Sequence, residues 1–543
     1  MLRGRAVFSG ICGVLIFAFI TYRLADTMVV SRFNRKEIRC FCRESTIRKA
    51  DIVDRNGELL ATSIATASCY ADPSVIFNID ETVSKLSQIP GMPNPKKIRV
   101  KLSDKGKHFV WIARHITPKI QEQVMDLGLP GIFFQKDYKR IYIHGNLFSH
   151  VIGCCDVDGC GVCGLERSFS EKLVVDNSAN KKLVTSLDLR IQAIVHEELQ
   201  MAIEKFRADG GNAILMSMNG EILSIVSLPD FDSNNLKNCR IETLFNKNTL
   251  GVFEQGSILK ILNVAIALDS GAASLGSVFD ASTPIKIGRF SIKDFKGKGR
   301  PLTLAEAFVF SSNIASAKVA LSFGAEIQKE YMRKFGMFDK LMIEVPELGA
   351  PIVPRNWTEA TCMSVSYGYG IAVSPLQLLT TVASIVNDGI KISPTLIYGR
   401  RPRRSEQPRI VSSETSTSVR ELMRAVVCFG TAKKSAVDGI DVFGKTGTAY
   451  KTTGYGYGND GNRKRITTFI GGFPKDHPQY MLLISIDNPK STSETFGYAT
   501  AGWNVAPTAK NVLKKIIPIL HDGRTMNADQ QNLKVVKYIK LDK

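Results

Sequence analysis

Hydrophobic positions divide the chain into an apolar opening, a mixed middle and a more regular final part. The opening run covers residues 6–22, with Arg3 and Arg5 before it and Arg23 after it. Its length is at the short end of the roughly 17–25 residues that span a membrane as a helix. Because no small-x-small cleavage site follows the run, we expect an uncleaved anchor rather than a signal peptide. The basic residues before it predict a cytoplasmic N-terminus, with the rest of the chain outside.

The middle part, residues 46–204, mixes short strands, turns and a few helical stretches. The polar sequence Asp54-Arg55-Asn56-Gly57 stands between apolar pieces and predicts a hairpin or tight turn. Further on, apolar residues at helical spacing from Ile191 to Ile203 predict an amphipathic helix. Asp188 stands where the N-cap of that helix is expected.

From about residue 212 the elements become longer and more regular. The pattern predicts strands 213–218 and 222–227, a helix from Ser257 to Gly271, a helical stretch 303–321, strands 442–448, 466–472 and 480–487, and a closing helix 506–520. Asn219-Gly220 between the first two strands predicts a type I′ hairpin. Strands at both ends with helices between them predict an α+β unit, one antiparallel sheet with helices on both faces.

Composition adds the number of domains and the kind of partner. At 543 residues the chain is long enough for two or three domains, and 44% apolar residues exclude wholesale disorder. The net charge of +20 suits an acidic polymer or a membrane surface, with nucleic acid as the first alternative. No helix-turn-helix, zinc-finger or ribonucleoprotein pattern accompanies the charge. The one dense basic run, residues 400–404, contains Pro402 and is typical of a solvated loop.

The chain contains eleven cysteines, and four of them stand close together. Cys154, Cys155, Cys160 and Cys163 lie in a short, glycine-rich segment with no histidine pair nearby. A zinc site, a pair of disulfides and ordinary thiols all remain open, because spacing alone does not determine pairing.

Candidate chemistry begins at Ser257 and Lys260. A serine hydroxyl is a poor nucleophile without a neighbouring base, and residues three apart on a helix share a face. Lys260 acts as that base only when neutral, which requires burial or nearby positive charge. Alone, the pattern also fits an ordinary helix cap with a surface lysine.

Two later sequences offer complementary groups. Ser311-Ser312-Asn313, within the predicted helical stretch, supplies a hydroxyl and an amide for proton relay or for binding a peptide. Lys445-Thr446-Gly447-Thr448, on a predicted strand, supplies a cation and hydroxyls for a carboxylate, with Gly447 allowing close approach of a ligand backbone. Each alone also fits an ordinary polar helix end or strand. The glycines of a phosphate-binding loop are missing before Lys445.

The order Ser-x-x-Lys, Ser-x-Asn, Lys-Thr-Gly, separated by about 50 and about 130 residues, resembles the penicillin-binding protein and serine β-lactamase superfamily. Asp51 to Gly57, Gly164-Leu165-Glu166 and Leu187 to Gln192 resemble the pedestal sequences of class B penicillin-binding proteins. Three places depart from that pattern: Gln255 replaces proline, Lys49-Ala50 replaces Arg-Gly, and the stretch Arg140-Ile141-Tyr142-Ile143 has isoleucine where proline is usual. None of these changes removes a catalytic group.

The resemblance implies a transpeptidase domain of the penicillin-binding fold on a mixed α/β pedestal, preceded by a transmembrane helix. The expected divisions are a cytoplasmic tail 1–5, an anchor 6–22, a connector 23–45, a dimerisation-type pedestal 46–204, a transpeptidase domain 205–522 and a basic tail 523–543. Within class B, Ser366-Tyr367-Gly368-Tyr369-Gly370 and Ile486-Asp487-Asn488-Pro489 resemble the division-specific, septal enzymes more than the elongation type.

The resemblance also implies a mechanism. Lys260 deprotonates Ser257, which attacks a D-Ala-D-Ala stem peptide of peptidoglycan, and β-lactams acylate the same serine. The N–H groups of Ser257 and Thr448 hold the oxyanion. Lys445, Thr446 and Thr448 bind the carboxylate, Ser311 relays a proton and Asn313 positions the peptide. No metal or cofactor is expected.

Several expectations concern partners and alternatives. The implied partners are the cytoplasmic membrane, a polytopic SEDS-type glycosyltransferase and other division proteins, and no nucleic acid. The stretch around Tyr455 and Tyr457 is either the border of the acceptor site or a plain loop. The alternatives are an elongation-type transpeptidase, a largely non-catalytic division scaffold and a β-lactam sensor. The sensor is disfavoured, because only five residues precede the span.

Overall fold

The computed structural model describes residues 48–174, 181–287, 290–400, 404–451, 464–520 and 533–540. The predicted anchor 6–22, most of the predicted C-terminal tail and the stretch around Tyr455 and Tyr457 lie outside the described residues. Across the six described ranges, no helix combines the length and the apolar character needed to cross a membrane.

The first unit, the pedestal, is built around one long strand. Its strands are β1 (Asp51–Val53), β2 (Leu59–Ala71), β3 (Val110–Ile116), β4 (Ile132–Tyr142), β5 (Cys154–Cys155), β6 (Gly161–Cys163) and β7 (Lys182–Val184). Its helices are α1 (Ile79–Ser87), α2 (Pro95–Leu102), α3 (Pro118–Asp126), α4 (Ser149–Ile152) and α5 (Gly164–Ser168). Strand β2 pairs antiparallel with β1, β3 and β4, β7 pairs parallel with β1, and β5 and β6 form a separate hairpin.

The turn predicted at Asp54 to Gly57 is confirmed and joins β1 to β2. The Asp54 carboxylate accepts hydrogen bonds from the backbone N–H groups of Asn56 (2.7 Å) and Glu58 (2.9 Å). It also accepts one of 3.1 Å from the N–H of Leu189, the first residue of helix α6 (Leu189–Lys205). The turn thus fixes the pedestal to the helix that leads into the second unit, and Asp188 caps that helix as predicted.

The second unit carries the larger sheet. Its strands are β8 (Gly210–Ser217), β9 (Ile222–Leu228), β10 (Val278–Asp280), β11 (Ile285–Ile287), β12 (Phe290–Ile292), β13 (Pro301–Thr303), β14 (Phe443–Tyr450), β15 (Arg465–Phe473) and β16 (Tyr480–Asp487). Its helices after α6 are α7 (Lys260–Asp269), α8 (Leu304–Val309), α9 (Asn313–Lys334), α10 (Glu359–Ser366), α11 (Pro375–Val386), α12 (Ser413–Phe429) and α13 (Val505–Leu520).

The five strands of the large sheet are ordered β14-β15-β16-β8-β9, and every neighbouring pair is antiparallel. All residues of β8 and β9 are buried, although successive side chains of a strand point to opposite faces. Both faces of the sheet are therefore covered, which confirms the predicted α+β arrangement. Strand β14, which carries the Lys-Thr-Gly sequence, lies at one edge of the sheet.

Two local predictions were wrong. A type I′ turn needs positive φ at both central residues, but only Gly220 (φ 93°) of the pair Asn219-Gly220 has it. The connection is longer than two residues, because β8 ends at Ser217 and β9 begins at Ile222. The helical stretch 303–321 is two helices, α8 and α9, and the sequence around Ser311 occupies the break between them.

Candidate active site

Ser257 lies in a 3-10 turn, Gly256–Leu259, directly before helix α7. Side chains three residues apart on a 3-10 helix are eclipsed, so Ser257 and Lys260 lie on the same side of the turn. Ser257 is half-buried, whereas Lys260 is completely buried. The nucleophile candidate therefore faces accessible space while the base candidate lies beneath it.

The ammonium of Lys260 donates hydrogen bonds to the carbonyl of Ser311 (2.6 Å), the hydroxyl of Ser311 (3.2 Å) and Oδ1 of Asn313 (2.8 Å). None of the hydrogen bonds described for Lys260 goes to Ser257. Burial lowers the pKa of Lys260 well below its usual value, and the nearby charge of Lys445 lowers it further, while Asp294 opposes the shift. Lys260 therefore loses its proton more readily than an exposed lysine does.

Ser311 stands in the left-handed region (φ 59°), a backbone conformation that is uncommon for a residue other than glycine. This conformation ends α8 and turns the Ser311 carbonyl and hydroxyl toward the same lysine. The hydroxyl also accepts a hydrogen bond of 2.9 Å from Nζ of Lys445. Ser311 consequently bridges the two lysines.

Lys445 is completely buried, and burial lowers its pKa to about 7. Its ammonium also donates to the carbonyl of Thr446 (3.1 Å) and lies 5.8 Å from the ring centre of Phe308. With Lys260 favouring its neutral form, the ammonium of Lys445, which has no described salt bridge to a carboxylate, makes the site positive. Such a site suits an incoming carboxylate.

Strand β14 approaches the serine turn so closely that both need glycine. A Cβ atom at Gly447 would lie 2.8 Å from the carbonyl oxygen of Gln255 and 2.7 Å from Cγ1 of Ile258. A Cβ atom at Gly256 would lie 2.5 Å from the carbonyl oxygen of Thr448. The structure therefore gives Gly447 a role within the chain, where the sequence predicted close approach of a ligand.

The two threonines of the Lys-Thr-Gly-Thr sequence have different surroundings. Thr446 is buried, and its hydroxyl lies 2.6 Å from the hydroxyl of Thr431. Thr448 is half-buried, and its hydroxyl accepts a hydrogen bond of 3.2 Å from the N–H of Ala501. Thr431 and Ala501 were not predicted, since nothing in their local sequence distinguishes them.

Asp294 is a further residue that was not predicted from the sequence. Its carboxylate accepts hydrogen bonds from the hydroxyl of Ser312 (2.7 Å) and from the N–H groups of Asn313 (2.5 Å) and Ile314 (3.0 Å). It thus caps the start of α9, where Asn313 holds Lys260. Asp294 lies 18 residues before its nearest partner, so a search for local caps does not find it.

The segment around Gly368 supports the serine turn from another side. Gly368 has φ 101°, and its carbonyl accepts a hydrogen bond of 3.2 Å from the N–H of Gly256. A Cβ atom at Gly368 would lie 1.8 Å from the carbonyl oxygen of Gly256, so no larger residue fits without displacement. The sequence resembling the septal enzymes therefore packs directly against the residue before Ser257.

In the pedestal, Glu166 of the Gly164-Leu165-Glu166 sequence is held by two basic residues from other segments. Its carboxylate is completely buried and pairs with Nζ of Lys49 (3.0 Å) and Nε of Arg140 (2.6 Å). The two cations hold the pKa of Glu166 below its usual value, although burial alone would raise it. Lys49, which departs from the family pattern, thus still supplies a positive charge at this position.

The cysteine cluster contains no metal site in the described part of the chain, where no three His, Cys, Asp or Glu side chains are grouped as ligands. Cys160 is disulfide-bonded. Cys154, Cys155 and Cys163 are free thiols.

Taken together, a half-buried serine beside a buried lysine pair, at the edge of an antiparallel sheet, supplies the groups that serine acyl transfer requires. Comparison with known proteins agrees with this class. Residues 211–514 match the penicillin binding protein transpeptidase domain, and residues 48–186 match the penicillin-binding protein dimerisation domain.

Two relatives and one solved structure extend over most of the chain. A probable peptidoglycan D,D-transpeptidase FtsI of Caulobacter vibrioides is 33% identical over 482 residues, which is 87% of this chain and 81% of the relative. The peptidoglycan D,D-transpeptidase FtsI of Escherichia coli is 28% identical, over 89% of this chain and 87% of the relative. Penicillin binding protein 3 of Mycobacterium tuberculosis, complexed with ampicillin, superposes with a TM-score of 0.70 at 23% identity, covering 90% of this chain and 98% of that one. The chain therefore belongs to the penicillin-binding protein transpeptidase family and, with a dimerisation domain before the transpeptidase domain, to its class B.

Proposed function

We propose that this chain is a peptidoglycan D,D-transpeptidase that cross-links stem peptides through an acyl-enzyme on Ser257. The observation that carries the proposal is the network in which Lys260, Ser311 and Lys445 meet beside the serine turn. A substrate peptide that ends in D-Ala-D-Ala offers the two features that this network suits, a reactive carbonyl and a terminal carboxylate.

Activation of Ser257 uses neutral Lys260 as general base. Burial and the neighbouring charge of Lys445 both favour the neutral amine, which then accepts the hydroxyl proton as the oxygen attacks the carbonyl carbon. Asn313 and Ser311 hold the amine in place. The bond formed is an ester between Ser257 and the penultimate D-Ala, and the bond broken is the amide to the terminal D-Ala.

The oxyanion is stabilised by the backbone N–H groups of Ser257 and Thr448. The carbonyl of Thr448 faces Gly256, and the N–H and C=O of one residue in an antiparallel strand point to the same side. The N–H of Thr448 therefore also faces the serine turn. Losing one such donor typically slows acyl transfer by about 10²–10³.

The substrate carboxylate binds to the hydroxyls of Thr446 and Thr448 in the field of Lys445. Ser311 passes a proton toward the departing D-Ala amine, because its hydroxyl contacts both lysines. One N–H of the Asn313 amide is used by the carbonyl of Lys293 (2.9 Å), which leaves the second to donate to the peptide. An amine from a neighbouring strand then attacks the ester and releases Ser257 as the free hydroxyl.

The decisive experiment is intact-protein mass spectrometry after treatment with benzylpenicillin. We expect the wild-type chain to gain the mass of one penicilloyl group and Ser257→Ala to gain none. Ser364→Ala, a serine of α10 outside the network, is the matched control and should still be acylated. No adduct on the wild-type chain, or an adduct that persists in Ser257→Ala, would contradict the proposal.

We further propose that the enzyme acts in septal wall synthesis, anchored in the cytoplasmic membrane by residues 6–22, with a SEDS-type glycosyltransferase and other division proteins as partners. The sequence around Gly368 supports this, since it resembles septal enzymes and lies against the serine turn. Depletion should give filaments, while swollen or rounded cells would indicate elongation. A scaffold role predicts that Ser257→Ala restores division in depleted cells, and the catalytic role predicts that it does not.

A further inference from the structure

The β5–β6 hairpin of the pedestal brings two free thiols together. Cys154 and Cys163 are direct partners across the antiparallel pair, and their sulfur atoms lie 3.3 Å apart. A disulfide joins sulfurs at about 2.05 Å, so roughly 1 Å of side-chain movement separates this pair from a covalent bond. The backbones of the two strands are also close together at this point. A Cβ atom at Gly153 would lie 1.9 Å from the carbonyl oxygen of Cys163.

We propose that Cys154 and Cys163 form a disulfide that closes the β5–β6 hairpin, made by a thiol–disulfide oxidoreductase. A separate observation supports an oxidising environment for this segment. Cys160, in the same hairpin, is already disulfide-bonded. Disulfides form and persist in compartments outside the cytoplasm, so a contacting thiol pair in the same hairpin meets the same oxidants.

The neighbouring cysteines do not compete for either partner. Adjacent residues of a strand point to opposite sides, and the thiol of Cys155 instead donates to Oε2 of Glu166 (3.2 Å). Its sulfur also accepts a hydrogen bond of 3.2 Å from Nζ of Lys49. Burial raises the pKa of Cys155 to about 12, which keeps it as an unreactive thiol.

Thiol–disulfide exchange needs one accessible thiolate to begin the reaction, and the two cysteines differ in exposure accordingly. Cys154 is buried, whereas Cys163 is half-exposed and can meet a protein oxidant. The hydrogen bond from Cys154 lowers the pKa of Cys163, which favours its thiolate. That thiolate attacks the disulfide of the oxidoreductase and forms a mixed disulfide, releasing one of its sulfurs as a thiolate. Cys154, losing its proton, then attacks the sulfur of Cys163, so the two cysteines are oxidised and the oxidoreductase leaves as a dithiol.

The cross-link would fix a junction between the two units. Cys163 is followed by Gly164, whose N–H donates to the Glu347 carboxylate of the transpeptidase unit (3.2 Å). Two residues further on, Glu166 forms a buried ion pair with Lys49. Closing the hairpin therefore limits the movement of the segment that holds the buried ion pairs with Lys49 and Arg140.

The test is differential alkylation of the full-length wild-type protein after equilibration with oxidised glutathione. Free thiols are labelled with one maleimide in denaturant, and disulfides are then reduced and labelled with a second, heavier maleimide. Fragmentation mass spectrometry assigns the label on each cysteine. We expect the second label on Cys154 and Cys163 and the first on Cys155. The first label on Cys154 and Cys163, or the second on only one of them, would overturn the proposal.

Variants test the pairing without depending on the fold of any single one. Cys163→Ser should return Cys154 to the first label, and Cys154→Ser should do the same for Cys163. The matched control Cys155→Ser should leave both with the second label. If Cys154 keeps the second label in Cys163→Ser, it has another partner and the assignment is wrong. Acylation of Ser257 is not part of this readout, so the result is independent of the proposed function.

Discussion

Nζ of Lys260 lies 2.6 Å from the carbonyl oxygen of Ser311, a contact made possible by the left-handed backbone of Ser311. The base candidate is thus positioned by a strained residue about fifty positions later in the chain. Strain of this kind persists only where surrounding structure enforces it, and here helices α8 and α9 continue on either side.

Lys260→Ala should lower the rate of Ser257 acylation by benzylpenicillin by about 10²–10⁴, the usual contribution of a general base. Stopped-flow competition with a fluorescent penicillin measures this rate. Lys434→Ala, a lysine outside the network, is the control and should acylate at the wild-type rate. A rate for Lys260→Ala within threefold of wild type would assign the base to another group.

Asp294→Asn should move the pH dependence of acylation. The charge of Asp294 raises the pKa of Lys260, so its removal lets that pKa fall further. Acylation requires neutral Lys260 and increases as pH rises through that pKa, so the acidic limb of the profile should shift to lower pH. Second-order acylation constants measured between pH 5 and pH 9 give the shift.

Asp280→Asn is the control for Asp294→Asn, since Asp280 caps an exposed turn at Ser282 (3.0 Å). Its acidic limb should coincide with that of the wild-type protein. A limb that is unmoved in Asp294→Asn, or that moves to higher pH, would contradict the assignment of Lys260 as the titrating base.

Lys445→Met should change how stability depends on pH. The folded-state pKa of Lys445 is about 7 and the unfolded value is about 10.4, so the unfolded chain binds more protons between them. Stability from this group is therefore present at high pH and is lost as pH falls toward 7. The free energy of unfolding of wild type relative to Lys445→Met should rise by about 2 kcal/mol from pH 7 to pH 9. Urea denaturation at both values measures it, and a difference that stays constant would show that Lys445 titrates normally.

The sequence predicted the strands of the large sheet and its closing helix well, because these elements are long and periodic, whereas helices α10, α11 and α12 were not predicted. Strands β14, β15 and β16 lie within two residues of the predicted bounds, and β14 carries the Lys-Thr-Gly sequence as expected. The break at Ser311 could not be predicted, since the residues around it have a continuous helical pattern. The left-handed Ser311 contacts two lysines that are distant in sequence.

Residues that support the site by contacting another site residue could not be predicted from the sequence either. Asp294 and Thr431 each contact a predicted residue from a different element, 18 and 15 positions away. Neither belongs to a local pattern with physical meaning, such as a cap next to its own helix. Gly447 is a related case, because a Cβ atom there would meet the turn around Ile258, a contact that the sequence did not predict. Such contacts arise from tertiary packing, and a single sequence does not encode them in its spacing.

Thr431→Val should weaken the carboxylate site without changing its shape. The Thr431 hydroxyl lies 2.6 Å from that of Thr446, so it fixes the direction in which Thr446 presents its proton or lone pair. Valine keeps the volume and removes the hydroxyl, and the loss of one hydrogen bond of about 1 kcal/mol should lower acylation by roughly fivefold. Because Thr431 acts through Thr446, the double variant with Thr446→Val should be no slower than Thr446→Val alone. A double-mutant cycle on acylation rates measures this coupling, and strictly additive effects would show that Thr431 contacts the substrate itself or acts elsewhere.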